Sequence, residues 1–210
     1  MALTEYRRIP GQPDLMVEDI RESSAAFHKY YAQEVLGGSG TDFGITAVGH
    51  SAGGHLALLC VGGNAVKSAS TDCPSSSSPR TGSSNDSATC YLRGVVALAP
   101  VADLKAAEDL QLDDQAVAAF LGPSVTASLR QDLDPSLLDY GRNVPIFFIH
   151  GNKDIRVPVE MSRYVTAKLK NAGERIAYLE MDNVGHFELI DPSFAVVREA
   201  LSAGLQFTFP

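Results

Sequence analysis

Short apolar runs separated by helical patterns are the feature that most constrains the fold of this chain. Three runs, at 44–49, 92–99 and 144–149, are typical of strands buried on both faces of a sheet, and 176–181 alternates as a fourth strand. Helical patterns lie at 16–35, 52–61, 103–138, 159–171 and 192–205, and a short strand is predicted at 2–6. This alternation predicts an α/β fold, a three-layer α/β/α sandwich around a mostly parallel sheet.

The length of 210 residues suits a single domain over 1–210. The segment 67–90 is rich in serine and has little to bury, which predicts a disordered surface insertion. Cys73 and Cys90 lie at either end of it and could pair in an oxidising compartment. The segment 101–140 is helical but broken by glycine and proline, and we interpret it as a lid or pocket wall.

Charge and hydropathy argue against two kinds of partner. The formal net charge is -8 and no run of Lys and Arg occurs, so neither nucleic acid nor an anionic membrane surface is an expected partner. No apolar stretch approaches the roughly 18 residues of a membrane span. The first ten residues lack the apolar core of a signal peptide, so the expected location is the cytoplasm.

A Gly-x-Ser-x-Gly pattern lies between the first apolar run and the helical segment that follows it. It reads Gly49-His50-Ser51-Ala52-Gly53. In a strand-turn-helix setting this pattern predicts a sharp turn that exposes a nucleophilic serine, here Ser51. Side chains two positions away on either side would crowd the turn, so Gly49 and Gly53 are expected to keep it open. The serine would lie at a helix N-terminus, where backbone N–H groups face a developing anion.

A serine hydroxyl needs a base, and His186 is the best placed of the five histidines. It follows the fourth strand, at the edge of the sheet where ligands gather in open α/β folds. Four others have more ordinary interpretations. His28 is expected on the surface or in packing, His50 on the other side of the turn, His55 in packing, and His150 in a structural role at a strand end.

The carboxylate that orients the base should come from a neighbouring loop at the same edge. Asp154 follows the third apolar run, and Asp103, after the second, is its competitor. We favour Asp154 because the order Ser, Asp, His then matches the order that is typical of such sheets. Its role would be to hold the tautomer of His186 and to stabilise the imidazolium.

These motifs together resemble the α/β-hydrolase family, and more closely its small esterase and arylformamidase-like (kynurenine formamidase-like) members. The segments 5–8, 18–20, 96–104 and 185–192 also resemble that group. Family members begin with three further strands and a loop, often His-Gly-Gly, that donates one oxyanion N–H. This chain contains no His-Gly-Gly, and its first residues resemble the fourth strand. The comparison therefore implies an N-terminally truncated form of the fold.

The resemblance implies a serine hydrolase that cleaves a small carboxylic ester or an aryl formamide through an acyl-enzyme. Ser51, Asp154 and His186 would form the triad, and the backbone N–H of Ala52 would be one oxyanion donor. No metal or organic cofactor is implied, and the expected partner is a small ester or amide substrate. Two alternatives stay open: a non-catalytic binding protein that lacks the oxyanion loop, and an acyltransferase.

Overall fold

The computed structural model describes residues 1–37, 43–62, 92–112, 116–142 and 144–209. The strands are β1 (Ile45–His50), β2 (Leu92–Leu98), β3 (Ile146–Gly151) and β4 (Ile176–Met181). The helices are α1 (Pro13–Tyr30), α2 (Ala52–Val61), α3 (Leu104–Asp109), α4 (Ala116–Leu121), α5 (Ala127–Asp132), α6 (Val159–Asn171) and α7 (Ala195–Thr208). A π-helical turn, Tyr31–Val35, continues α1, and short 3-10 helices occupy Pro135–Leu137 and Glu188–Ile190. The predicted insertion at 67–90, with Cys73 and Cys90, lies outside the described residues.

The four strands form one parallel sheet in the order β1-β2-β3-β4. Val48 of β1 is in register with Val96 of β2, and Ile149 of β3 with Leu179 of β4. Because all strands run in the same direction, their carboxyl ends meet at one edge of the sheet. The loops that follow β1, β3 and β4 therefore open on the same side of the molecule.

Alternate side chains of the strands enter two separate cores. Val95 and Ala97 of β2 belong to the core shared with α1, α2 and α6. Val96 and Leu98 belong to the other core, which includes Val197 of α7. The sheet is thus covered by helices on both faces, as its continuous apolar runs predicted.

The N-terminal strand predicted at 2–6 is wrong. These residues form no strand, and among the described strands β1 lies at one end of the sheet order, paired with β2. A strand needs a partner for its backbone groups, which a short stretch of sequence does not supply by itself. Arg7, directly after this segment, is bound to α1, where its backbone N–H and guanidinium donate to Asp19 at 2.8 and 2.9 Å.

The described residues of the segment 101–140 include three short helices and a 3-10 turn, and the role of the segment as a lid or pocket wall stays a prediction. Among the described residues, no helix combines the length and apolar character that crossing a membrane requires.

His55 joins α2 to this segment from a buried position, as its predicted packing role requires. Its Nε2 donates to the Leu133 carbonyl oxygen at 2.9 Å, and its ring meets the edge of Phe120 at 5.1 Å. Burial disfavours the charged imidazolium and lowers the pKa of His55 to about 4, although the bond to Leu133 opposes the change. The folded protein therefore holds this imidazole neutral.

We expect this group to make stability fall as the pH is lowered from about 6.5 to about 4. In that window the imidazole binds a proton in the unfolded chain but not in the folded one, so acid favours unfolding. At about 1.4 kcal/mol per pKa unit, the loss reaches about 3 kcal/mol. Urea unfolding across this pH range measures it. His55→Gln keeps an amide donor for Leu133 but does not titrate, so its stability should depend less on pH. Parallel curves for the two proteins would contradict the assignment.

Candidate active site

Ser51 lies in the sharp turn between the end of β1 and the start of α2. Its backbone has φ 56° and ψ −119°, a conformation that is costly for any residue with a side chain. The turn is held from both sides, because Ser51 N–H donates to the Leu98 carbonyl oxygen at 2.9 Å and the Ser51 carbonyl accepts from His55 N–H at 3.1 Å. Strain of this kind concentrates at functional positions, which makes Ser51 the first candidate.

The N-terminus of α2 lies directly beside that serine. Ala52 is the first residue of the helix and is exposed, while Ser51 is half-buried. The first N–H groups of a helix have no partner within the helix and carry partial positive charge. The use of the Ala52 N–H as an oxyanion donor stays a prediction.

The crowding at the elbow falls on Gly49, as predicted, and on Gly54 in place of Gly53. A Cβ on Gly49 would lie 2.2 Å from the Gly53 carbonyl oxygen, so Gly49 is needed as expected. A Cβ on Gly53 would meet no atom of the described residues within 4 Å. The second close approach is at Gly54, where an added Cβ would lie 2.9 Å from the Cβ of Pro100. The steric role predicted for Gly53 is thus wrong, because the helix turns its next residue toward β2.

Asp154 and His186 come together from two different loops. His186 Nδ1 lies 2.6 Å from Asp154 Oδ2, and both side chains are almost wholly buried. The other carboxylate oxygen, Oδ1, accepts the backbone N–H groups of Arg156 and Val157 at 2.8 and 2.9 Å. A bond from Nδ1–H to Asp154 leaves Nε2 of the imidazole free to accept a proton.

The Asp154 carboxylate is held as an anion. Burial would raise the pKa of Asp154, but donation from His150, His186, Val157 and Arg156 outweighs it and lowers the pKa far below its ordinary value. A fixed negative charge therefore lies beside the imidazole of His186, where it would stabilise an imidazolium.

His150 contacts the same carboxylate, which its position at a strand end did not indicate. Its side chain is fully buried, with Nε2 lying 3.0 Å from the Val157 carbonyl oxygen and 3.2 Å from Asp154 Oδ2. Both neighbours of Nε2 are acceptors, so this nitrogen carries the proton. Nδ1 is paired with Ser162 Oγ at 2.7 Å. Two imidazoles thus share one carboxylate.

His50 is also placed differently from its prediction. Instead of lying on the far side of the turn, its ring is 4.4 Å from that of His186, and its Nε2 lies 2.9 Å from the His186 carbonyl oxygen. Sequence proximity to Ser51 was the available signal for this contact. Whether the His50 side chain meets His186 depends on how far the loop after β4 reaches across the sheet.

The competing residues have other partners. Asp103 caps α3, accepting the Ala106 N–H at 2.8 Å. His28 is buried and stacks on Phe43 with the ring centroids 4.2 Å apart, which confirms its packing role. The structure thus brings Asp154 and His186 into direct contact, and it places His186 against the residue that immediately precedes Ser51.

Comparison with known proteins gives one family and many solved structures. The BD-FAE family model matches residues 38–169, which include Ser51 and Asp154. No curated protein sequence matches the chain. An acetyl ester-xyloside bifunctional hydrolase from Caldicellulosiruptor lactoaceticus is 21% identical with a TM-score of 0.67, covering 97% of this chain and 68% of its own.

An esterase from Thermogutta terrifontis, Est2 with propionate bound, is 21% identical, with a TM-score of 0.61. The match covers 92% of this chain and 64% of that esterase. The esterase 2 of that organism phosphoramylated by tabun is 20% identical, with a TM-score of 0.62. The match covers 96% of this chain and 65% of that esterase. This chain therefore spans about two thirds of the length of these structures. Together with the parallel sheet and its flanking helices, they confirm the predicted α/β-hydrolase fold.

Proposed function

Since this chain belongs to the BD-FAE family, we propose that it is a serine esterase that uses Ser51, His186 and Asp154 as its catalytic triad. The observation that carries the proposal is the buried 2.6 Å bond between His186 Nδ1 and Asp154 Oδ2. It orients the imidazole of His186 beside His50, the last residue of β1, which directly precedes the strained Ser51. Solved esterases of the same fold, one of them phosphoramylated by tabun, support this reaction class.

The proposed reaction proceeds in two halves. Ser51 Oγ attacks the substrate carbonyl carbon while Nε2 of His186 takes the hydroxyl proton, and the oxyanion that forms receives the Ala52 N–H. The bond to the leaving group breaks as His186 returns the proton to that group, leaving an acyl-enzyme. Water then attacks the acyl carbon, His186 takes its proton, and the acid leaves as Ser51 regains its hydrogen.

For the substrate we propose a small carboxylic ester or an aryl formamide. Phe187 supports an aromatic or apolar group next to the base. Its ring is 63% exposed and meets His186 edge-on at 5.2 Å. Ile155, which directly follows Asp154, is 94% exposed. Apolar side chains that face solvent beside a polar site are typical of ligand contacts.

A fluorophosphonate probe tests the esterase proposal. Such a probe reacts with a serine only when a base activates it, so we expect stoichiometric labelling of Ser51. Ser51→Ala should abolish labelling without loss of fold, and Ser136→Ala is the matched control for a buried serine elsewhere. A folded wild-type protein that is not labelled would overturn the proposal and favour the alternative, a non-catalytic binding protein.

A turnover panel separates the substrate classes. Short aryl esters, alkyl esters and N-formyl aromatic amines are compared by kcat/KM, each with Ser51→Ala as the blank. Aryl compounds should be preferred if Phe187 contacts the leaving group, and Phe187→Ala should reduce that preference. Equal rates for aryl and alkyl esters would contradict the role of Phe187 but leave the triad untouched.

A further inference from the structure

The base loop, which we define as residues 182–187, is bound mainly to the loop that follows β3. Asn183 N–H donates to Asn152 Oδ1 at 2.8 Å, and the Val184 carbonyl oxygen accepts Lys153 N–H at 2.9 Å. The bond between His186 and Asp154 joins the same two loops. All three contacts position the base relative to its acid, and none of them positions it relative to Ser51.

The order of the strands separates the base loop from Ser51. The base loop follows β4, the nucleophile follows β1, and β2 and β3 lie between them. In the described part of the chain, one hydrogen bond joins the base loop to β1. It runs from His50 Nε2 to the His186 carbonyl oxygen at 2.9 Å, and the two rings are 4.4 Å apart.

The chemistry of this bond requires a particular form of His50. A carbonyl oxygen is only an acceptor, so Nε2 of His50 must carry a hydrogen. Burial and the neighbouring His186 lower the pKa of His50. The bond to His186 and the Asp154 charge oppose this change, and His150 adds to it. A neutral His50 keeps the donor and places no positive charge beside the imidazolium that forms during catalysis.

We propose that His50 is a positioning residue that sets the separation between Ser51 and the imidazole of His186. This inference rests on the proposed triad. Because His50 immediately precedes Ser51, its bond to His186 connects the nucleophile to the base through a single side chain. A base displaced by about 1 Å can cost about 100-fold in rate. Loss of the bond should therefore slow proton transfer and leave substrate binding unchanged.

Two substitutions separate the hydrogen bond from the ring. His50→Phe keeps an aromatic ring and removes the donor, whereas His50→Gln places an amide N–H where Nε2 lies. We expect fluorophosphonate labelling and kcat to fall about 10- to 100-fold in His50→Phe. In His50→Gln they should stay within about threefold of wild type, because the donor to the carbonyl is kept. KM for an aryl acetate should be unchanged in both.

His55→Phe is the matched control, because it removes an equivalent bond from a histidine Nε2 to a main-chain carbonyl, that of Leu133. It should lower Tm without slowing the labelling of folded protein. Wild-type labelling rates in folded His50→Phe would overturn the inference. Equally slow labelling of His50→Phe and His50→Gln would also overturn it, because the hydrogen-bond donor would then make no difference to the rate.

A second measurement does not depend on activity. The NMR signal of the His186 Nδ1 proton, bonded to Asp154, should exchange faster with water in His50→Phe than in wild type or His50→Gln. Equal exchange in all three would count against the inference. If wild-type protein is not labelled, the esterase proposal fails, and the exchange rates still decide whether His50 holds His186.

Discussion

Asparagine in place of Asp154 is expected to lower kcat by about 10⁴-fold while the protein stays folded. The carboxylate Oδ2 now accepts from His186 Nδ1 and lies 3.2 Å from His150 Nε2. An amide group at that position would present N–H groups to two N–H donors. His186 would then turn to the tautomer in which Nδ1 accepts and Nε2 carries the hydrogen, and Nε2 could no longer take the serine proton.

The fold should survive because the other oxygen keeps its role. Oδ1 of an asparagine can still accept the N–H groups of Arg156 and Val157. We expect a loss of about 1–3 kcal/mol in the free energy of unfolding, the usual cost of a buried donor without a partner. Steady-state kinetics with an aryl ester and urea unfolding of the same sample measure the two effects separately.

Asp103→Asn is the control, since it removes the same charge from the competing carboxylate. Asparagine is also a good N-cap, so α3 should keep its capping bond at Ala106. Its kcat should equal that of the wild type. The assignment of the acid would be reversed if Asp103→Asn lost activity and Asp154→Asn kept it.

Alanine at Gly49 and alanine at Gly53 are expected to have opposite effects. At Gly49 the new methyl group would lie 2.2 Å from the Gly53 carbonyl oxygen, a contact that only a shift of the backbone can relieve. That shift moves the turn that holds Ser51, so kcat should fall by about 100-fold or more. Overpacking of this kind costs about 1–3 kcal/mol in stability.

At Gly53 the described residues leave room for the methyl group, and the residue belongs to α2. Alanine is a better helix former than glycine, so the free energy of unfolding should rise by up to about 1 kcal/mol. Labelling of Ser51 by the fluorophosphonate should continue. Thermal unfolding and labelling of both variants test the pair, and a Gly53→Ala protein as impaired as Gly49→Ala would show that the symmetric prediction from the motif was correct.

The elements with strong local signals were predictable to the residue. The bounds of α2, α6 and β4 agree with those expected from apolar periodicity and helix-end signals. A helix satisfies its own backbone, so its pattern carries most of the information that defines it. A strand needs hydrogen bonds from a neighbouring strand. β4 receives them from β3, whereas the strand expected at 2–6 has no such neighbour among the described residues.

For the candidate site, the pairing of Asp154 with His186 followed from chain order and from the edge at which parallel strands end. The roles of the neighbouring groups did not follow. His50 contacts His186 instead of lying on the other side of the turn, and His150, buried as its predicted structural role requires, also contacts Asp154. Both histidines lie at the ends of strands, where the loops that meet their side chains come from distant parts of the sequence.

The sequence by itself determined the kinds of element, their order along the chain and the residue types that can perform acyl transfer, because these depend on local periodicity and on side-chain chemistry. Tertiary structure alone decided that Gly54 rather than Gly53 is crowded at the elbow, that His150 shares the Asp154 carboxylate and that His50 contacts His186. The contact between His50 and His186 joins residues 136 positions apart, and it exists only once the sheet has brought its loops to one edge.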